Sequence, residues 1–149
     1  MKGSYNGVLF VDDYAHHPTE IRTTLEGIRR AVGSQRLIAV FQPHRYSRTQ
    51  DCLGQYGTIF ESADEVIITD IYSAGETPVP HLTHEAVIQE IQHSSSISCC
   101  YVPRSNLGQH LSCAVQPNDV VVTLGAGDVT KVGTETLVLL EKQSIKQSN

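Results

Sequence analysis

Short apolar runs alternate with segments of helical period along the chain, and this alternation constrains the fold more than any single residue does. Val8-Leu9-Phe10-Val11, Leu37-Ile38-Ala39-Val40-Phe41, Glu65-Val66-Ile67-Ile68-Thr69-Asp70, Cys99-Cys100-Tyr101-Val102 and Asp119-Val120-Val121-Val122-Thr123-Leu124 read as strands. After the first of them, Ile21, Leu25, Ile28 and Val32 recur at helical spacing, with Arg22, Glu26, Arg29 and Arg30 on the opposite side. Pro18 suits the first turn of that helix, where its missing N–H is no loss, and Gly33 is placed to end it. Leu53, Tyr56, Phe60 and Ala63 predict a second helix. A third is expected from about Thr83 to His93, a fourth from Asn106 to Val115, and a last one on Val129, Val132, Thr136, Leu137 and Leu140. Repeated strand–helix units predict an α/β fold, a three-layer Rossmann-like domain with a mainly parallel sheet flanked by helices. The 149 residues suffice for one such domain, and the polar tail from Ser144 is expected to fray.

Charge and cysteine usage exclude several functions. Eleven Lys and Arg against sixteen Asp and Glu leave a net charge of −5, which argues against nucleic acid or an anionic membrane as partner. The four cysteines form no C-x-x-C pair, and two are adjacent, a poor arrangement for a disulfide framework or a tetrahedral zinc site. No metal site is expected. The opening residues lack the apolar core of a signal peptide, and no apolar run approaches the ~20 residues of a membrane span. A cytoplasmic, reducing compartment is the expectation.

In a parallel sheet of this kind, ligands bind beyond the carboxyl ends of the strands, so the residues just after each strand carry the information. Asp12-Asp13-Tyr14-Ala15-His16-His17-Pro18 follows the first predicted strand, and Gln42-Pro43-His44-Arg45-Tyr46-Ser47-Arg48 follows the second. Arg45 and Arg48, three apart and flanked by His44 and Tyr46, can converge at the start of a helix. There they could hold a carboxylate or phosphate by bidentate hydrogen bonds, although two solvated surface arginines would also explain them. Asp13 could accept hydrogen bonds from ribose hydroxyls, while His16 and His17 could orient an amine or serve as general base. Of the adjacent pairs, Asp12 and His17 are the ones expected to fix the turn and cap the helix. Gly125-Ala126-Gly127-Asp128 follows the last strand, and Thr130 stands where a dinucleotide fingerprint needs its third glycine. It reads as a tight turn whose backbone closely approaches something. No G-x-x-x-x-G-K-[ST] loop is present to cradle a triphosphate.

Taken in order, four stretches carry a resemblance. Asp12-Asp13-Tyr14-Ala15-His16-His17-Pro18-Thr19-Glu20, Phe41-Gln42-Pro43-His44-Arg45-Tyr46-Ser47-Arg48-Thr49, Asp70-Ile71-Tyr72-Ser73-Ala74-Gly75-Glu76 and Thr123-Leu124-Gly125-Ala126-Gly127-Asp128 are similar to the carboxy-terminal domain of the Mur ligases, in particular of those that add L-alanine. The resemblance implies an ATP- and Mg2+-dependent enzyme of bacterial peptidoglycan synthesis. Such an enzyme phosphorylates the carboxylate of UDP-N-acetylmuramate, and the amine of L-alanine then attacks the acyl phosphate. It further implies that Arg45 and Arg48 hold the L-alanine carboxylate with His44 beside them. Tyr14 and His16 would border the amine, with His16 orienting or deprotonating the ammonium, and Asp13 would contact the ATP ribose. The Asp70–Glu76 and Gly125–Asp128 loops would wall the pocket. The UDP-sugar and ATPase domains of the family have no counterpart in residues 1–149, so the expectation is a fragment that does not ligate alone. Its start lies so near the first strand that an edge strand could be missing. Two other readings remain: the murein peptide ligase branch, which uses a tripeptide nucleophile and generally differs in the loop after the second strand, and a non-catalytic α/β binding module. The last explains the fold but not why histidines and arginines collect at two strand ends.

Overall fold

The register of the sheet brings the carboxyl ends of five strands into one row. The computed structural model describes residues 3–5 and 7–148. Its six strands are β1 (Gly3–Tyr5), β2 (Val8–Asp13), β3 (Leu37–Phe41), β4 (Glu65–Ile68), β5 (Ser98–Tyr101) and β6 (Val120–Leu124), in spatial order β1-β2-β6-β3-β4-β5. All neighbours are parallel except β1, which runs antiparallel to β2 on the edge. Asp13 pairs with Leu124, Leu124 with Phe41, Phe41 with Ile68, and Ile68 with Tyr101. Every loop that follows one of these strands therefore starts from the same rim.

The central strands are apolar on both sides because helices cover both faces. Leu37, Ala39 and Phe41 pack into one buried cluster with Ile21 and Leu25 of α1 (Pro18–Val32) and with Val87 and Ile91 of α3 (His84–Ser94). Ile38 and Val40 face the other cluster, with Leu107 and Leu111 of α4 (Leu107–Ala114) and Val132 and Leu140 of α5 (Val132–Ser148). The result is the expected three-layer, mainly parallel α/β domain. Side chains such as Ile21 and Leu25, fully buried, each contribute ~1.5–3 kcal/mol of apolar burial.

Three expectations need correction. The helix predicted over Leu53, Tyr56, Phe60 and Ala63 is absent: α2 spans only Tyr46–Cys52, and residues 53–64 turn repeatedly. Gly54 sits at φ +96, and the Glu90 carboxylate captures the N–H groups of Gly54 and Tyr56 at 2.5 and 3.1 Å, replacing helical acceptors. Tyr56, Phe60 and Ala63 are still buried, but Leu53 is exposed. The polar tail does not fray at Ser144, since α5 continues to Ser148 with Lys and Gln, which are good helix formers. Finally, β1 was not foreseen; three residues beside the Gly7 turn give no usable period.

Candidate functional site

The loop after β2 resolves two adjacent histidines into opposite roles. His17 is the N-cap of α1: its Nδ1 accepts the Thr19 N–H at 3.3 Å, and Glu20 reaches back to the His17 N–H at 3.2 Å, closing a capping box with Pro18 in the first turn. His16 Nδ1 lies 3.0 Å from the Tyr14 carbonyl oxygen. A carbonyl only accepts, so this ring carries its hydrogen on Nδ1 and, when neutral, leaves the Nε2 lone pair free. Neighbours in sequence thus hold opposite tautomers, and of the two only His16 presents a bare Nε2. Asp12 and Asp13 divide in a similar way. The Thr123 hydroxyl donates to Asp12 Oδ1 at 2.7 Å, a tie within the sheet, and Asp13 Oδ1 accepts the Ala15 N–H at 2.8 Å.

The loop after β3 meets the loop after β4. His44 bridges to Tyr72, the Arg45 N–H donates to the Tyr72 carbonyl at 2.7 Å, and the Tyr72 N–H donates to the Pro43 carbonyl at 2.9 Å. The Tyr72 ring stacks on the His44 ring with centroids 5.6 Å apart, and the His44 ring lies 5.8 Å from that of His16. Burial, together with the neighbouring His16 and the positive charge of Arg45 and Arg48, lowers the pKa of His44, and the Glu76 carboxylate only partly opposes this. His44 Nδ1 is buried without a hydrogen-bond partner, so a protonated ring would bury an unpaired donor. His44 is therefore the neutral member of a cationic rim.

Arg45 is the N-cap of α2, at φ 67, a left-handed conformation for a non-glycine residue. Arg48 follows in the first turn of the same helix. Both side chains are exposed, and neither guanidinium has a hydrogen bond or ion pair to a described residue. By contrast, the Arg104 guanidinium is paired. It donates to the Asp128 carbonyl at 2.8 Å and pairs with the carboxylates of Asp128 (3.2 Å) and Glu135 (2.9 Å). The Arg104 backbone N–H donates to Asp70 at 3.0 Å. Asp70 also accepts from the Tyr101 hydroxyl, and burial with that bond pushes the phenol up to about 12. Asp70 and Asp128, in the two loops expected to wall the pocket, tie the strand ends together.

Gln42 carries a role that its residue type did not announce. Only 2% exposed, it donates to Asp128 Oδ1 at 2.7 Å and accepts the Val129 N–H at 3.1 Å, linking the ends of β3 and β6. The close approach foreseen at the glycines is to this residue and to Tyr72. A Cβ on Gly127 would lie 2.5 Å from Tyr72 Cγ and 2.6 Å from Gln42 Oε1, and one on Gly125 (φ +145) 2.9 Å from the Gln42 carbonyl. Gly127 backs Tyr72, Tyr72 backs His44, and His44 stands against His16. A cavity of about 210 Å³ beside this rim is lined by Tyr46, Asp70, Ile71, Leu82, Thr83 and His84. A larger one of about 610 Å³ runs along α5, from Thr130 to Leu139, and takes none of the rim histidines or arginines into its wall. Among the described residues no three His, Cys, Asp or Glu side chains gather as a metal-ligand set, and no helix is long and apolar enough to cross a membrane.

The structure brings together, at one rim, His16, His44, Arg45 and Arg48. Tyr14, 68% exposed, is held in by its carbonyl, and its ring makes no described contact with them. Sequence reading gave no role to Gln42 and no particular role to Tyr72 or Glu76. The usable signal for Gln42 was a polar side chain directly after a wholly apolar strand.

Known proteins share both sequence and fold with this chain. Residues 1–127 match the family described as "Mur ligase, glutamate ligase domain". The UDP-N-acetylmuramate–L-alanine ligase of Protochlamydia amoebophila is 64% identical over 140 residues, 94% of this chain and 31% of that protein, so the chain spans about a third of its relative. The UDP-N-acetylmuramate-alanine ligase structure from Thermotoga maritima superimposes with a TM-score of 0.70 at 22% identity, covering 91% of this chain and 27% of the other. A murein peptide ligase from Psychrobacter arcticus also gives 0.70, at 23% identity over 93% of this chain and 28% of its own. At such identities the two structures attest the fold.

Proposed function

The chain belongs to the Mur ligase family, as its glutamate ligase domain, and from that premise we propose that it is the amino-acid-binding domain of an ATP-dependent ligase joining L-alanine to UDP-N-acetylmuramate. The observation that carries this reading is the meeting of two unpaired guanidinium groups and two imidazoles at one row of strand ends. An amino acid arrives as a zwitterion. Its carboxylate suits Arg45 and Arg48, whose planar forks donate to two oxygens at once, with neutral His44 beside them. Its ammonium must lose a proton before nitrogen can attack an acyl group. His16 Nε2 carries the free lone pair for that proton, because Nδ1–H is committed to the Tyr14 carbonyl. The amine then bonds to the acyl carbon as the bond to the phosphate oxygen breaks; the second nitrogen proton leaves with the phosphate, and His16 keeps the first. Tyr14, exposed next to His16, borders the amine and the small side chain.

ATP supplies the phosphoryl group that activates the muramoyl carboxylate. Asp13 fits a contact with its ribose: one oxygen is held by the Ala15 N–H, and the other has no partner among the described residues. No residue here is assigned to Mg2+. The UDP-sugar, the triphosphate and its magnesium fall to other domains of a longer enzyme, for which relatives about three times the matched span leave room. Closure of such domains over this rim would exclude water from the acyl phosphate. The reading puts the enzyme in the cytoplasm, with its nucleotide substrates. The peptide-adding alternative shares the fold equally, and the 64% identity favours the alanine-adding branch. The test is ADP release by the full-length protein with ATP, UDP-N-acetylmuramate and either L-alanine or the tripeptide. The expected result is turnover with L-alanine alone. Turnover only with the tripeptide, or with neither, would overturn the reading.

A further inference from the structure

The end of α2 is closed by a residue 29 positions away. Arg45, its N-cap, makes no side-chain capping bond, so the first N–H groups of this seven-residue helix lack a local acceptor. Glu76 supplies it: Oε1 accepts the Ser47 N–H at 3.0 Å, Oε2 accepts the Ser47 hydroxyl at 2.5 Å, and the Tyr46 N–H points to the same carboxylate. These bonds and the nearby Arg45 charge hold the Glu76 carboxyl below the usual carboxylate range, so it is ionised wherever the enzyme would work. Glu76 is itself set by a turn in which its N–H donates to the Ser73 carbonyl at 3.0 Å, around Ala74 and Gly75, both at positive φ. The Arg45 N–H is held from the same loop by the Tyr72 carbonyl, and the Arg45 carbonyl accepts the Thr49 N–H and hydroxyl within α2.

We propose that Glu76 is a positioning residue for the guanidinium pair: by closing α2 from the loop after β4, it fixes the left-handed Arg45 backbone and thereby aims Arg45 and Arg48 at the same point. Both oxygens are spent on α2, so Glu76 acts through the arginines and does not itself take the substrate ammonium. This inference rests on the amino-acid site proposed above.

Two measurements on the full-length protein test it. In steady-state kinetics, Glu76→Ala is expected to raise the KM for L-alanine about tenfold while leaving the KM for ATP unchanged. Glu76→Gln, which keeps one acceptor oxygen, should recover part of that loss, and Ser47→Ala should add nothing on top of Glu76→Ala. In hydrogen exchange, the Tyr46 and Ser47 amides should lose protection in Glu76→Ala, a result independent of any substrate. An unchanged alanine KM in an active enzyme, a parallel shift of the alanine and ATP constants with the melting temperature, or unchanged exchange at those two amides would each overturn the proposal. A wild type without L-alanine-dependent turnover would overturn the ligase reading instead, and the exchange result would still decide whether Glu76 holds α2.

Discussion

The ring of His44 stands between those of Tyr72 and His16, at 5.6 Å from the first and 5.8 Å from the second, so three loops share one aromatic column. The column runs along the rim where the parallel strands end, and Gly127 forms its floor.

The tautomers separate the adjacent histidines. His16→Ala in the full-length enzyme should lower turnover by ~10²–10⁴, the usual worth of a general base. His17→Ala should leave turnover near wild type and cost ~1 kcal/mol of stability through the lost cap. Turnover assays and urea unfolding of both variants check this. A His17 variant that loses turnover as heavily as the His16 variant would contradict the assignment.

Gly127 has no room for a methyl group. Gly127→Ala must move Tyr72 or Gln42 and should destabilise the domain by ~1–3 kcal/mol, as overpacking does. Gly27→Ala, inside α1 with only the Arg30 guanidinium within 4 Å, should instead stabilise by ~0.5–1 kcal/mol, the difference between glycine and alanine in a helix. Denaturation midpoints of the two variants should move in opposite directions.

His44 should give the fold a pH dependence of definite sign. Its pKa is lowered by burial and by neighbouring cations, so the unfolded chain binds a proton there before the folded one does. The contribution is complete above about pH 6.5, the ordinary imidazole value, and is lost as the pH falls through the folded-state value. Urea midpoints at pH 8 and pH 5.5 should therefore differ less in His44→Gln than in the wild type. Equal drops in both would show that His44 does not carry the effect.

Local signals in the sequence predicted local structure well. The α1 period, Pro18 at its start and Gly33 at its end were readable because helix faces and caps are set by residues within a few positions. The same holds for the strand ends that gather His16, His44, Arg45 and Arg48, since a parallel sheet aligns them by its topology. What could not be read depends on partners far along the chain. Leu53, Tyr56, Phe60 and Ala63 have helical spacing, yet Glu90, on a different helix, takes the amides that a helix would use. Glu76 capping α2, Gln42 bonding Asp128, and Gly127 packed on Tyr72 are likewise contacts across the rim, and no spacing rule announces them.

The central claim is that Arg45 and Arg48 grip the carboxylate of the incoming amino acid at this rim. Its most direct test is the L-alanine saturation curve of the full-length enzyme carrying Arg48→Lys, with ATP and UDP-N-acetylmuramate saturating. Lysine keeps the charge but loses the planar fork, so the alanine KM should rise about tenfold or more while the constants for both nucleotides stay put. An alanine KM equal to that of the wild type would contradict the account.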